Sequence, residues 1–206
     1  MKTLIAVPCM DQVAAGFAGS LALLRKPGIT ALYMLCGSLI YDSRNKLVKH
    51  ALEKEMDYVF WLDSDMTFEP DVLERMIKHM EDGKDIVTGL YFRRALPFTP
   101  VIFKTFEKRP EGGFTWTDYK DYPKDEPFEV AACGGGCLMV RTSVFMDMML
   151  NYRTWFDPLE GAGEDMAFCL RARELGYKIW CDPSIKLGHV GNLVVTEDVY
   201  ESLRKD

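Results

Sequence analysis

The stretch YVFWLDSDMTFEPDVL, residues 58–73, decides the architecture. Its first five residues, Tyr58 to Leu62, are apolar and β-prone without alternation, as in a strand buried on both faces. The run stops abruptly at Asp63-Ser64-Asp65. Pro70 then stands just inside a helix whose inward stripe is Val72, Leu73, Met76, Ile77 and Met80. A buried strand passing through a short polar link into a helix is the repeating unit of a parallel, helix-covered sheet.

The unit recurs on either side. Thr3–Val7 is a short apolar strand, and Asp11–Leu24 reads as a helix stopped by Lys26-Pro27-Gly28. Ile29–Leu35 is a second buried strand. Asp42 or Ser43 can cap a helix to about Glu55, with Leu47, Val48, Ala51 and Leu52 on one face, and Asp85–Gly89 is again strand. The expected fold is α/β: a Rossmann-like, mostly parallel central sheet flanked by helices. Residues 91–127 break the pattern with Pro, Gly, aromatic and charged residues. Pro100–Phe106 and Gly113–Asp118 predict a β-hairpin with loops projecting there. Regular order returns with Phe128–Ala132, a glycine turn, Leu138–Arg141 and a Met-rich helix through Leu150. A helix from about Gly163 to Gly176 follows, then short strands at Lys178–Cys181 and Ser184–Leu187. The chain, 1–206, reads as one catalytic-size domain with a short tail at 192–206.

Composition bounds the partners. With 206 residues, 48% hydrophobic and 27% charged, the chain can build a sizeable core. Its net charge of −6 disfavours polyanions unless a local basic patch intervenes, and the densest basic stretch, Lys104 to Arg109, is diluted by Glu107. No apolar run nears the roughly 20 residues that span a bilayer. The apolar start is too short for a signal peptide and is interrupted by Pro8 and Asp11. Six cysteines lie mostly among apolar neighbours without zinc-site spacing, so reduced thiols in a cytoplasmic setting are expected.

Five features carry chemistry. Asp63 and Asp65 stand where a hydrophobic strand ends, the place where α/β sheets collect ligands. Paired carboxylates there suit Mg2+ or Mn2+ shared with substrate phosphates, or else simply a solvated turn with Asp65 or Thr67 capping the next helix. Glu164-Asp165 opens a helix. Acidic residues there either stabilise the helix end or supply a general base, with Asp165 as base and Glu164 orienting the acceptor or holding an Arg. His189, between Gly188 and Gly191, is either a hydrogen-bonded core histidine or a third metal ligand. Arg44, in the first turn of its helix, opposes the helix dipole unless something anionic lies near. It is either exposed or a phosphate partner, and Arg93-Arg94 poses the same choice. Gly134-Gly135-Gly136, between Cys133 and Cys137, permits positive φ and close backbone approach, to a ligand or within a tight bend.

Taken in order, the DSD-x-x-F-x-P-x-x-L stretch, GGGCLMVRTSVF and GEDMAFCLRARELGYKIWCDPSIKLGHVG resemble the GT-A glycosyltransferases, especially the family-2 group. The resemblance covers about Met1 to Gly191. It implies a GT-A fold and a metal-dependent, hexosyltransferase-like enzyme that moves a sugar from a UDP- or GDP-sugar to an acceptor hydroxyl, with inversion. It implies that Asp63, Ser64 and Asp65 hold donor and metal, Mn2+ or Mg2+, and that His189 completes the metal site. Asp165 is the implied base beside Glu164. Val7, Pro8 and Arg44 are implied on the donor side, and Gly134, Gly135, Gly136 and Arg93 on the acceptor side. Two departures stand out: Pro8-Cys9-Met10 replaces the usual polar residues, and Cys36-Gly37-Ser38 replaces an acidic loop that grips the base. The rival readings are a sugar-nucleotide nucleotidyltransferase, for which the Gly/Arg/Lys-rich loop after the first strand is missing, and a non-catalytic nucleotide-sugar-binding module. The acceptor is open between glycan, lipid carrier, protein, small molecule and modified nucleic acid. The short tail is expected to end a minimal catalytic domain, as a lid or a membrane-surface helix.

Overall fold

A computed structural model of the chain describes residues 1–191 and 194–203. Its first half runs β1 (Lys2–Cys9), α1 (Ala15–Leu23), β2 (Ile29–Cys36), α2 (Ile40–Glu53), β3 (Tyr58–Leu62), β4 (Met66–Thr67), α3 (Val72–Glu81) and β5 (Ile86–Leu90). After these come β6 (Ile102–Lys108), β7 (Phe114–Asp118), β8 (Phe128–Val130), β9 (Ala132–Cys133), β10 (Cys137–Arg141) and α4 (Thr142–Asn151). The last elements are α5 (Glu164–Glu174), β11 (Ile179–Lys186), β12 (Gly188–Val190), β13 (Val194–Val195) and α6 (Glu197–Leu203).

Seven strands form the central sheet in the order β2-β1-β3-β10-β5-β11-β8. β1 pairs in parallel with β2 and β3, and β5 with β11. β10 runs antiparallel between β3 and β5, and β8 closes one edge antiparallel to β11. Every residue of β3 and β5 is buried. Successive side chains of a strand point to opposite faces, so each strand feeds two cores. Leu4, Ala6, Val59 and Trp61 join Leu47, Val48, Phe145 and Phe168 from α2, α4 and α5 on one face. Ile5, Val7, Phe60 and Leu62 meet Phe17 of α1 and Leu73, Met76 and Ile77 of α3 on the other.

Three elements differ from their sequence reading. The predicted strand Phe128–Ala132 is split in two: β8 lies at the sheet edge and β9 pairs with β6, while β10, beyond the glycines, enters the middle of the sheet. The wholly apolar β10 segment Cys137–Val140 is buried throughout, and a slot between two fully buried strands is where such a segment belongs. Helix α1 begins four residues after Asp11, because Ala14 N–H is drawn to the Ser64 carbonyl (2.9 Å). The two predicted strands after residue 178 are one strand, β11, irregular between Asp182 and Lys186 where Pro183 cannot donate to the ladder.

The expected hairpin is β6–β7, extended to three strands by β9. It is fastened to α5 by Arg173 Nη1, which donates to the Phe106 carbonyl (3.0 Å), and by the Lys108–Glu174 ion pair (2.8 Å). At the other end, the Glu197 carboxylate of α6 accepts from Tyr122 Oη (2.9 Å) and Lys124 Nζ (3.2 Å) and pairs with Lys186. Of the tail read at 192–206, residues 192–193 and 204–206 lie outside the described residues. No described helix is long and apolar enough to cross a membrane.

Helix α1 holds two glycines in contrasting settings. A Cβ at Gly19 would meet nothing within 4 Å, whereas one at Gly16 would stand 2.8 Å from Thr67 Cγ2. Gly19→Ala is therefore expected to stabilise the protein by about 0.5–1 kcal/mol through helix propensity. Gly16→Ala should lose that gain to the clash. Urea unfolding midpoints of the two variants check the contrast.

Candidate active site

The loop after β3 is locked by its backbone, which leaves its carboxylates facing outward. Asp63 N–H donates to the Gly136 carbonyl (3.1 Å), and the Asp65 carbonyl accepts from Val190 N–H (2.8 Å). β4 pairs with β12 so that Met66 lies opposite His189. Two hollows of about 390 and 380 Å³ open here and share Asp63, Asp65 and Arg94, forming one cleft at the carboxyl end of β1 and β3. The first is walled by Pro8, Cys9, Gly37 and Ser38. The second brings together Arg44, Tyr91, Gly135, Glu164, Asp165 and His189.

Arg44 is the buried centre of this arrangement, with a side chain only 1% exposed. Its Nη2 donates to Asp63 Oδ1 at 2.7 Å, and its Nε lies 3.6 Å from Glu164 Oε1. The guanidinium carbon sits 5.3 Å from the Trp61 ring centre and 5.7 Å from that of Phe156, within cation–π range. Burial alone would disfavour the charge, but Asp63, Glu164 and Asp165 outweigh it and raise the Arg44 pKa. The anion that the helix dipole calls for beside Arg44 is thus supplied by the protein's own carboxylates.

Asp65 and His189 form a second pair, with Asp65 Oδ2 and His189 Nε2 3.5 Å apart. The His189 ring bonds through Nδ1 to the Phe92 carbonyl (2.8 Å). A carbonyl only accepts, so Nδ1 carries the proton and the Nε2 lone pair of neutral imidazole is turned toward the carboxylate. Two electron-rich atoms facing each other call for a proton or a cation between them. Asp65 Oδ2 also accepts from Arg94 Nη1 at 2.7 Å, and that arginine is half exposed. Burial pushes the Asp65 pKa up, but a proton on His189 Nε2, together with the Arg94 guanidinium, outweighs it and holds the carboxyl below its usual range. Among the described residues no three His, Cys, Asp or Glu side chains converge as a metal shell. Asp65 and His189 are two donors of kinds that divalent cations accept, fewer than such an ion takes.

Asp165 lies at the start of α5, after the Gly163 N-cap. Burial, the neighbouring Glu164 charge and Asp63 push its carboxyl up to about 6, against the Met166 N–H bond and Arg44, which pull it down. That is the proton affinity that general-base chemistry near neutral pH requires.

The three glycines have none of the positive φ that their sequence permits. They are glycine because partners press on their Cα atoms. A Cβ at Gly135 would stand 2.5 Å from Arg44 Nη2, and one at Gly136 would stand 2.9 Å from the Tyr91 ring. At Gly134 it would overlap the Tyr91 hydroxyl. Tyr91, buried, accepts the Gly136 N–H at 2.9 Å. The sequence reading passed over Tyr91; its position directly after β5, at a strand's carboxyl end, was the available signal.

The remaining predicted residues divide. Ser64 and Pro8 line the first hollow, while Val7 is fully buried in the core. Arg93 lines the second hollow but pairs with Asp118 on the hairpin (3.4 Å), and its neighbour Arg94 is the one that reaches Asp65.

Because Arg44 faces Asp63 and Glu164 from a buried position, removing it leaves two partly buried carboxylates opposed. Arg44→Met is expected to cost about 2–4 kcal/mol at neutral pH, toward the range for breaking a buried ion pair. The deficit should shrink on acidification, because Asp165, which also faces Arg44, takes up a proton below about pH 6. Denaturation of both proteins at pH 7 and pH 4 measures it.

Comparison with known proteins agrees with this architecture. The A197 protein from STIV, a crystal structure, superposes with a TM-score of 0.72 at 19% identity, covering 96% of this chain and 91% of that one. GalNAc-T7, solved with UDP, GalNAc and Mn2+, gives a TM-score of 0.66 at 10% identity over 93% of this chain and 44% of its own. S. aureus TarS 1-349, solved in complex with UDP-GlcNAc, gives 0.52 at 15% identity over 89% of this chain and 56% of its own. No curated protein sequence matches. The model of the family described as "Glycosyl transferase family 2" matches residues 21–149, more than half of the chain. With a GT-A sheet whose strand ends gather these carboxylates, the chain belongs to glycosyl transferase family 2.

Proposed function

We propose that the protein is an inverting, metal-dependent enzyme that transfers a hexosyl group from a UDP-sugar to an acceptor hydroxyl, with Asp165 as the base. The observation that carries this reading is the presence of Asp165, with its raised proton affinity, in the same hollow as Asp63, Asp65 and His189. UDP in GalNAc-T7 and UDP-GlcNAc in TarS favour uridine over guanosine.

In this reading the acceptor O–H gives its proton to an Asp165 oxygen as the acceptor oxygen bonds the anomeric carbon. The bond from that carbon to the diphosphate oxygen breaks on the opposite face, and the electron pair leaves with the nucleoside diphosphate. Asp65 and His189 would hold Mn2+ or Mg2+, which supplies charge neutralisation at the leaving diphosphate. Arg44 fixes Asp63, and through Glu164 it fixes the first turn of α5. Pro8, Gly37 and Ser38 form the wall nearest the nucleoside. Their lack of acidic side chains means that the base is held by shape and backbone groups.

Asp165→Asn is expected to lower kcat by at least about 10²-fold, the typical worth of a general base. The product anomer, read by NMR, should be inverted; retention would sink the direct displacement. The wild-type rate should fall on the acid side of about pH 6, where the Asp165 carboxyl takes up a proton. Stability has the opposite dependence. A folded-state pKa above the unfolded value favours the fold at low pH, and this benefit is lost as pH rises through about 6. Asp165→Asn should therefore melt higher than wild type at pH 7.5, with the gap about half closed at pH 5 and closed near pH 4. A separate measurement addresses the cation: His189→Ala should weaken Mn2+-dependent UDP binding by about 10-fold or more in calorimetry, while metal-free UDP binding changes little.

A further inference from the structure

The β6–β7 hairpin carries a feature that sugar transfer at Asp165 does not by itself explain. Trp116, on the edge strand β7, is 50% exposed, although its cross-strand partner Phe106 is buried and stacked on Phe114 (ring centres 4.9 Å apart). The indole borders two spaces at once. One is a hollow of about 210 Å³ closed by Phe103, Phe106, Gly163 and Met166, the last two flanking Asp165 on either side. The other is an open groove of about 480 Å³ along Lys104, Thr117, Tyr119 and Lys120. Arg93 lines both the small hollow and the cleft of Asp63 and Asp165, so the two spaces adjoin at its side chain.

Three observations identify an occupant. First, the small hollow has room for about seven waters at about 30 Å³ each, the space of a single sugar ring rather than of an extended chain. Second, its aromatic and apolar walls carry one polar side chain, Arg93, which suits a ring with apolar C–H faces and hydroxyl edges. Third, the charges around the groove nearly balance. Lys104 and Lys120 lie with Asp118 and Asp121, and Arg93, on the small hollow, stands 3.4 Å from Asp118, which leaves one positive charge in excess. One excess charge spread among engaged side chains is a weak site for a phosphate or a uronate, and an acyl chain would meet charged walls in the groove. The platform is also rigid relative to the chemistry, since α5, which begins with Glu164 and Asp165, grips β6 through Arg173 and Lys108.

We infer that Trp116 is the stacking platform of an acceptor subsite for a neutral oligosaccharide, whose ring in the small hollow presents a hydroxyl toward Asp165 while the following residues run along the Lys104–Lys120 groove. This rests on the proposed role of Asp165, and the test separates the two. Wild type, Trp116→Ala and Trp116→Phe are applied to an immobilised panel of neutral glucans, mannans and galactans, with sulfated oligosaccharides and polyprenyl-phosphate vesicles alongside. UDP binding with Mn2+ is measured on the same preparations. The expected result is retention on neutral glycans, weakened about tenfold or more by Trp116→Ala and largely kept by Trp116→Phe, with UDP affinity unchanged in both. Neutral-glycan binding that ignores Trp116→Ala, retention only by sulfated or lipid probes, or no retention at all would overturn the subsite. Loss of UDP binding in the wild type would instead strike the donor reading, and leaves a Trp116-dependent glycan site standing.

Discussion

The site depends on one buried cation. Arg44 reaches from α2 to the carboxylate at the end of β3 and to the first turn of α5, two segments separated by about a hundred residues of chain. Burying a guanidinium is costly unless charge and packing answer it. Here Asp63 and Glu164 supply the charge, and Trp61 and Phe156 supply polarizable faces. Gly135 supplies the space, since any side chain there would collide with the guanidinium. The interaction therefore sets the spacing between Asp63 at the end of β3 and the first turn of α5 that carries Asp165. It also explains why the turn into β10 must be glycine without any unusual backbone angle.

The sheet order follows from similar economy. β10 lies antiparallel between β3 and β5, so the glycines that precede it arrive at the same sheet edge as Asp63, and Gly136 accepts the Asp63 N–H. β11 then runs parallel to β5 and delivers His189 to that edge through the β4–β12 pairing. Strand ends bring Asp63, Asp65 and His189 to the cleft, while α2 brings Arg44 and the first turn of α5 brings Glu164 and Asp165, and buried strands allow the first group little freedom to drift.

Much of this was legible from the sequence because burial leaves a plain record. The unbroken apolar run from Tyr58 to Leu62 gives a central strand, and carboxylates directly after it give a site. The pattern at Glu164-Asp165 similarly marked the start of a helix, and α5 begins there. Partner choice was not legible. Nothing local in the sequence says that Arg44 is buried while Arg93 and Arg94 are not, because that depends on which rings and carboxylates arrive from distant segments. For the same reason the glycines suggested backbone freedom, when their cause was a tyrosine and an arginine pressing from the far side. The insertion of β10 escaped too: a short apolar strand reads alike whether it closes a hairpin or fills a sheet.

Charge in the cleft links the cation to the donor. Asp63, Asp65, Glu164 and Asp165 face Arg44 and Arg94, while Arg93 is neutralised by Asp118. If all four acids are ionised, the carboxylates outnumber the two remaining cations by two. Such a cleft repels a diphosphate, so under the proposed reading donor binding must be preceded or accompanied by added positive charge. In that reading one divalent ion at Asp65 and His189 would restore neutrality, beside the half-exposed Arg94 that pairs with Asp65. The raised proton affinity of Asp165 belongs to the same balance. In a cleft with excess negative charge, the carboxylate most shielded from water and closest to its like-charged neighbours is the one most ready to accept a proton.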